Sequence, residues 1–584
     1  MAGKRFPSKC DALDLRLTLP NKTPLFLLWS LPIAFLGLFY FYPLGSILAL
    51  SFERGANLLQ PLLDILSSSS LRGVIGFTFW QASLSTLLTL AVGLPAAYLL
   101  ARYRFRGKSF LRALSGIPFV LPTLVVAAAF DALLGPRGWI NLVLMDLFNL
   151  ESAPIHFVNT FAAILIAHIF YNTTIVLRLV GDFWARLSPR IEQAARSLGA
   201  SPWQTFSQVT LALISPALAA AALLVFIFDF TSFGVILVLG GPRFATLETE
   251  IYYETTALFD LPTAAALALI QLLCTLVLTL IYTRLTARLS RPIELRAPRA
   301  IVRSFSSPRA HLAAAGFLAL LAIFFAAPLV GLAARSITRL ESERGQTATV
   351  QPGLTLDHYA TLGADQRGNI FFATPTEAIR TSLIYAGSTV FLALVIGLPA
   401  SWALARRGDA LLSRLLDPLL MLPLGTSAVT LGLGFIVALN SPPLDFRASP
   451  ILVPLAHSLV ALPFVVRSLA PALRSIRPRL HQAAAVLGAA PIQVLRYVDV
   501  PLVGRALIVS ALFAFAISIG EFGATAMIAR PEYPTIPVLI YRLLSQPGAL
   551  TYGQAMALST ILMLVTGGGV LAMEKLRVAE IGEF

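Results

Sequence analysis

Four ionisable side chains, His168, Asp229, His457 and Glu521, lie inside long apolar runs of this chain. In such a setting an imidazole or carboxylate can relay protons, couple an ion gradient, attract a cation or brace a neighbouring helix. Asp131 is a further carboxylate of the same kind. Metal chemistry is not indicated. Cys10 and Cys274 are the only cysteines, and they offer neither metal-ligand spacing nor a disulfide framework. Ser, His and Asp all occur, yet no nucleophile elbow, zincin spacing or paired-carboxylate motif stands out. RGKSF at 106–110 contains Gly-Lys-Ser without the earlier glycine of a phosphate loop. The expectation is a non-enzyme with no catalytic residue, no metal site and no cofactor of its own.

The elements that hold these groups follow from composition. Of 584 residues, 57% are hydrophobic and 12% charged, whereas a soluble domain carries about 25% charged residues. A spanning helix needs about 20 apolar residues. The coarse runs are 24–50, 74–101, 110–134, 158–181, 207–240, 262–285, 309–334, 380–405, 412–439, 450–473, 503–529 and 552–574. Barrel strands would read as alternating segments of about ten residues, which are not seen. The predicted class is all-α, a polytopic membrane protein of about twelve transmembrane helices, with the lipid bilayer as its solvent.

The net charge of +15 is distributed by loop. Lys4, Arg5, Lys9, Arg16 and Lys22 precede the first run, and Arg102, Arg104, Arg106, Lys108 and Arg112 follow the second. Arginines also dominate 284–309, whereas 244–260 holds Glu248, Glu250, Glu254 and Asp260. Basic loops alternating with acidic ones follow the positive-inside rule, which places both termini in the cytoplasm and argues against a nucleic-acid partner. The first run is too long for a cleaved signal and lacks an A-x-A exit, so it reads as a retained helix.

A repeat then organises the chain. His168 and His457 stand 289 residues apart, and so do Arg178 and Arg467, Phe233-Gly234 and Phe522-Gly523, and Ile251-Tyr252 and Ile540-Tyr541. GLPAAYLLAR at 93–102 is echoed by GLPASWALAR at 397–406. Matched His, Arg, Pro and Gly at one register mark an internal duplication. Six spans per copy make the repeats parallel, with halves 1–300 and 301–584 joined through 290–308. The runs of Gly and Pro at 93–95, 118–122, 397–399 and 423–425 read as packing points or helix breaks.

The same register aligns IEQAARSLGASP at 191–202 with LHQAAAVLGAAP at 480–491, both on the cytoplasmic side. Each predicts a short helix, a glycine turn and a second short helix beginning near Pro202 or Pro491. Small residues give a low profile that a partner can approach closely. The segments are 188–205, with Gln193, Ala194, Ala195, Leu198, Gly199 and Ala200, and 477–494, with Gln482, Ala483, Ala484, Leu487, Gly488 and Ala489.

This pair resembles the cytoplasmic E-A-A-x-x-x-G loop of binding-protein-dependent ABC importer permeases, with Gln193 and Gln482 in place of the family's usual Glu. LTLDHY at 354–359 is similar to another segment common in these permeases. The resemblance implies two parallel six-helix permease repeats in a bacterial cytoplasmic membrane. It also implies docking onto two ABC ATPase subunits, which carry ATP and Mg, and an extracytoplasmic substrate-binding protein. The fused form resembles the permeases of thiamine and ferric-iron importers. FWQASLSTLL at 79–88, LGGPRFATLETEIY at 239–252 and SIGEFG at 518–523 look most like the thiamine type. The expected cargo is thiamine or its phosphates, with ferric iron the alternative and an ion-coupled secondary transporter the rival class. Asp229, Glu521, His168 and His457 are the pathway candidates, although a buried histidine is ordinarily hydrogen-bonded to a neighbouring helix.

Overall fold

The computed structural model describes residues 23–52, 63, 65, 67–289, 307–339, 353–363, 373–405, 410–440, 444–446 and 449–581. Cys10, the basic tail before the first run and the join at 290–306 lie outside the described residues. Eleven described helices are long and apolar enough to cross a membrane, and counting one bent pair as a span gives twelve. In the first half the second span is Ser69–Arg102, the fourth Phe161–Arg186, the fifth ends in Leu211–Phe230 and the sixth is Leu261–Leu289. Their counterparts are the eighth, Pro375–Ala405, the tenth, Leu452–Arg474, the eleventh, Val500–Gly520, and the twelfth, Ala549–Ile581.

Four expected spans are interrupted. The third begins as Lys108–Gly116, passes through a tight turn at Pro118–Val120 and resumes as Thr123–Leu134. Its counterpart bends by 100° between Leu416–Gly425 and Ala428–Ala438. Proline supplies the cause, because it lacks an N–H and disfavours helix in the preceding residue. The fifth span stops at Phe230 and the eleventh at Gly520, each just before the repeated Phe-Gly.

The glycines of the two Gly-Leu-Pro motifs sit where helices cross. A Cβ on Gly93 would lie 2.8 Å from Val176, and one on Gly397 would lie 2.6 Å from Val465. In lipid, where apolar surface gains little by helix contact, close approach through small residues drives association. The halves also interlock. The first helix, Thr23–Leu36, packs on the eighth span, and Pro308–Ser336 packs on Thr123–Leu134. Trp29, Phe35 and Leu36 thereby join a core built from residues of the second half. Trp139 Nε1 donates to Gly331 O at 3.1 Å, a tie in the opposite direction.

Candidate functional site

Both repeated segments have the expected helix–turn–helix shape. Arg190–Ser197 and Pro478–Val486 are the first helices. Each ends with a glycine in the left-handed region, Gly199 at φ +91° and Gly488 at φ +73°. Gly199 N donates to Arg196 O and Ala200 N to Ala195 O, both at 3.0 Å, and Gly488 and Ala489 repeat the pattern onto Ala485 and Ala484. This pair of bonds satisfies the last carbonyls of the helix. The next helix is capped by side chains in register, Gln204 Oε1 accepting from Ser201 N and Gln493 Oε1 from Ala490 N. Leu198 is 89% exposed and Leu487 86%, and the equivalent Trp203 and Ile492 are exposed as well. Gln193, Ala194, Gln482 and Ala483 face solvent too, whereas Ala195 is half-buried and Ala484 buried.

A residue outside the motif anchors each loop. Glu192 is buried, accepts from Arg102 Nη2 at 2.7 Å and takes a second bond from Thr210 Oγ1 at 3.2 Å. Arg102 also donates to Leu187 O, so the basic connection and the repeated segment are tied together. In the second half His481 Nε2 meets Asp499 Oδ1 at 2.5 Å, and Arg474 donates to Leu404 O. Glu192 aligns with His481 and Thr210 with Asp499, both by the 289-residue register.

The histidines bridge the spans around the centre. His168 is hydrogen-bonded to Ser85 through Nδ1 at 3.0 Å and to Ser232 through Nε2 at 2.9 Å. Asp229 Oδ1 lies 3.3 Å from His168 Nδ1 and accepts from Asn172 at 2.6 Å. His457 is bonded to Ser518 at 2.8 Å and Thr525 at 2.7 Å, with Glu521 Oε2 at 3.2 Å from its Nε2. Glu521 also accepts from the backbone N–H groups of Ala524 and Thr525, at 2.8 and 3.0 Å. It serves the start of the short helix Gly523–Ile528.

Between the halves lies a cavity of about 410 Å³. His168 and Asp229 line it, and His457 and Glu521 do not. Sequence reasoning missed another lining residue, Glu248, which it placed in an outer acidic loop. Glu248 is fully buried, accepts from Gln271, and accepts from Ser427 of the opposite half at 2.6 Å. The Ser427 hydroxyl in turn caps the helix Ala428–Ala438 through Val429 N and Thr430 N. The signal in the sequence was its place in LGGPRFATLETEIY at 239–252, downstream of the Gly-Gly-Pro stretch. Where the repeated Phe-Gly elements meet, Phe233 and Phe522 stack with centroids 5.4 Å apart, flanked by Tyr252 and Tyr541. Phe233 and Phe522 also line the cavity, as do Phe228 and Phe513 on the fifth and eleventh spans, which follow the repeated segments.

The chain thus combines a duplicated helical membrane body, a cavity lined by both halves and an exposed helix–turn–helix segment in each half. Residues 93–291 match the family described as the binding-protein-dependent transport system inner membrane component. With its eleven to twelve candidate spans the chain is a multi-pass membrane protein, similar over 93–291 to the permease components of binding-protein-dependent importers. It is 29% identical over 549 residues to the thiamine transport system permease protein ThiP of Brucella abortus (strain 2308), covering 92% of each chain. The protein of the same description from Escherichia coli (strain K12) is 28% identical, over 82% of this chain and 85% of its own. That of Haemophilus influenzae is 29% identical, over 91% and 93%.

Proposed function

We propose that this permease imports thiamine or its phosphate esters and is driven by two ATPase subunits, one docked on each repeated segment. The observation that carries the docking is the pair of exposed leucines, Leu198 and Leu487, at equivalent tips. A solvated connector has no reason to present Leu beside Trp203 in one copy and beside Ile492 in the other. ATP and Mg belong to the partner subunits. Their closure moves both docking segments, and the halves 1–300 and 301–584 rock about the cavity. A loaded binding protein docks on the opposite face. The charge alternation puts the docking face and both termini in the cytoplasm. The cargo assignment is supported by the thiamine-transport relatives, which match nearly the whole chain.

The test is reconstitution with the cognate ATPase and binding protein. ATP-dependent uptake of labelled thiamine is expected, and uptake of ferric iron without thiamine would overturn the cargo. Reporter fusions after residues 107, 195 and 485 should read inside and those after 150 and 255 outside. An outside signal at 195 or 485 would end the docking assignment.

A further inference from the structure

We propose that the cavity between the halves is itself a selecting site for a flat organic cation, held by Asp229 and Glu248 against aromatic faces. The inference rests on the importer reading above and names where within the permease the cargo is recognised. Asp229 is fully buried; its Oδ1 is engaged by Asn172 and His168, but Oδ2 has no hydrogen-bond partner. A buried carboxylate oxygen left unpaired is costly unless something brings it a donor or a positive charge. Asp229 is among the residues that line the cavity, so an occupant that draws this side chain out of its buried position can bring one.

The remaining lining points to the same chemistry. Phe119 pairs with Phe228 at 6.0 Å and Phe464 stacks with Phe513 at 6.4 Å. Ring faces attract cations, most strongly where water is excluded. Among the described residues that line the cavity, none is Lys or Arg. The volume falls in the range of small-molecule sites, about 300–1,000 Å³, so a bare ion would leave most of it unfilled. The charge is also one-sided. Positions equivalent to Asp229 and Glu248 in the second half hold Ser518 and Pro537. A pseudo-symmetric chamber with its carboxylates supplied by one half suits a single occupant with a charged end. Glu248 bonds across the interface to Ser427, so an occupant drawing on that carboxylate also acts on the contact between the halves.

The experiment uses the permease with its ATPase subunits in nanodiscs, without the binding protein, and measures labelled thiamine by equilibrium dialysis. Saturable binding is expected, displaced by an N-alkylpyridinium cation and not by benzyl alcohol as a neutral ring. Asp229→Asn and Glu248→Gln should each weaken binding about ten-fold, or about 1.4 kcal/mol. If either variant fails to fold, the competition with the wild-type complex decides alone. Should the complete importer carry thiamine while the permease shows no saturable binding, or the neutral ring compete equally, this proposal fails and the importer reading stands. Thiamine binding to the permease without uptake by the complete importer would instead overturn the cargo assignment and leave the cation site supported.

Discussion

Set side by side, the two halves place the same histidine between the same two positions but exchange what stands there. His168 lies between Asp229 and Ser232, and His457 between Ser518 and Glu521. The anchors of the repeated segments behave alike: Arg102 and Thr210 hold Glu192 in one half, and Asp499 holds His481 in the other. The packing therefore requires a polar bridge between particular spans and is indifferent to which side supplies the charge. Some backbone-directed bonds do persist unchanged. Thr78 accepts from Leu247 N at 3.0 Å, and its counterpart Ser382 accepts from Ile536 N at 2.8 Å. What lacks a counterpart altogether is Glu248, opposite Pro537, and that difference belongs to the cavity.

The anchors of the two repeated segments differ in burial, and the largest effect is expected there. Arg102 is 2% exposed at its side chain and Glu192 9%, whereas His481 is 38% exposed. Arg102→Met leaves a buried carboxylate without its cation and should cost about 3–5 kcal/mol. His481→Ala also strands a buried carboxylate, Asp499 at 2% exposed, but the half-exposed imidazole it removes opens that site to water, so the loss should be smaller, about 1–3 kcal/mol. Thermal unfolding of the two purified variants measures the difference. Equal losses would show that burial does not rank these anchors.

The glycine turns of the repeated segments share their bonds and backbone conformation, and on the docking proposal they should fail together. A β-branched residue at positive φ costs about 1–2 kcal/mol. No neighbour lies within 4 Å of a Cβ built on Gly199 or Gly488, so the penalty is conformational alone. Gly199→Val with Gly488→Val should insert normally yet lose most co-purifying ATPase and transport, each single variant losing less. Normal transport by the double variant would reduce both segments to connectors.

Much of this was legible in the sequence because identity carried it. The Gly-Ala turn and the paired histidines recur as the same letters 289 residues apart, and the crossing glycines 304 apart. The carboxylate exchange was present in that register too, as Asp229 over Ser518 and Ser232 over Glu521, but a search for identical residues passes over compensating ones. Glu248 was misplaced because the charge pattern reads loops, and the helix Leu247–Thr256 folds back among the spans. The interlocked first helices had no local signal, since any apolar helix can pack on either half.

The crossing glycines provide a smaller test of the likeness between halves. Gly93→Ala and Gly397→Ala should each cost about 1–3 kcal/mol by overpacking. Gly397 should suffer more, because Val465 Cγ1 already stands 2.6 Å from the added Cβ. The measurement is the unfolding midpoint of each variant, and an unchanged midpoint at 397 would mean the crossing relaxes freely.

The smallest effect should come from exchanging the bridge itself. Asp229→Ser alone leaves Asn172 without its acceptor, and Ser232→Glu alone sets a second carboxylate beside Asp229. Together they write the second half's pattern into the first. The new carboxylate would have the leading N–H groups of the helical segment that starts at Gly234, as Glu521 has those of Ala524 and Thr525. Such groups are otherwise orphaned at a helix start and favour a negative charge. The double variant should therefore unfold within about 1 kcal/mol of the parent while both singles lose more, a coupling of the kind neighbouring residues show. Cation binding should nevertheless fall, because the unpaired Oδ2 of Asp229 is gone. A double variant as unstable as the sum of its singles would mean that the two halves are held by specific carboxylates after all.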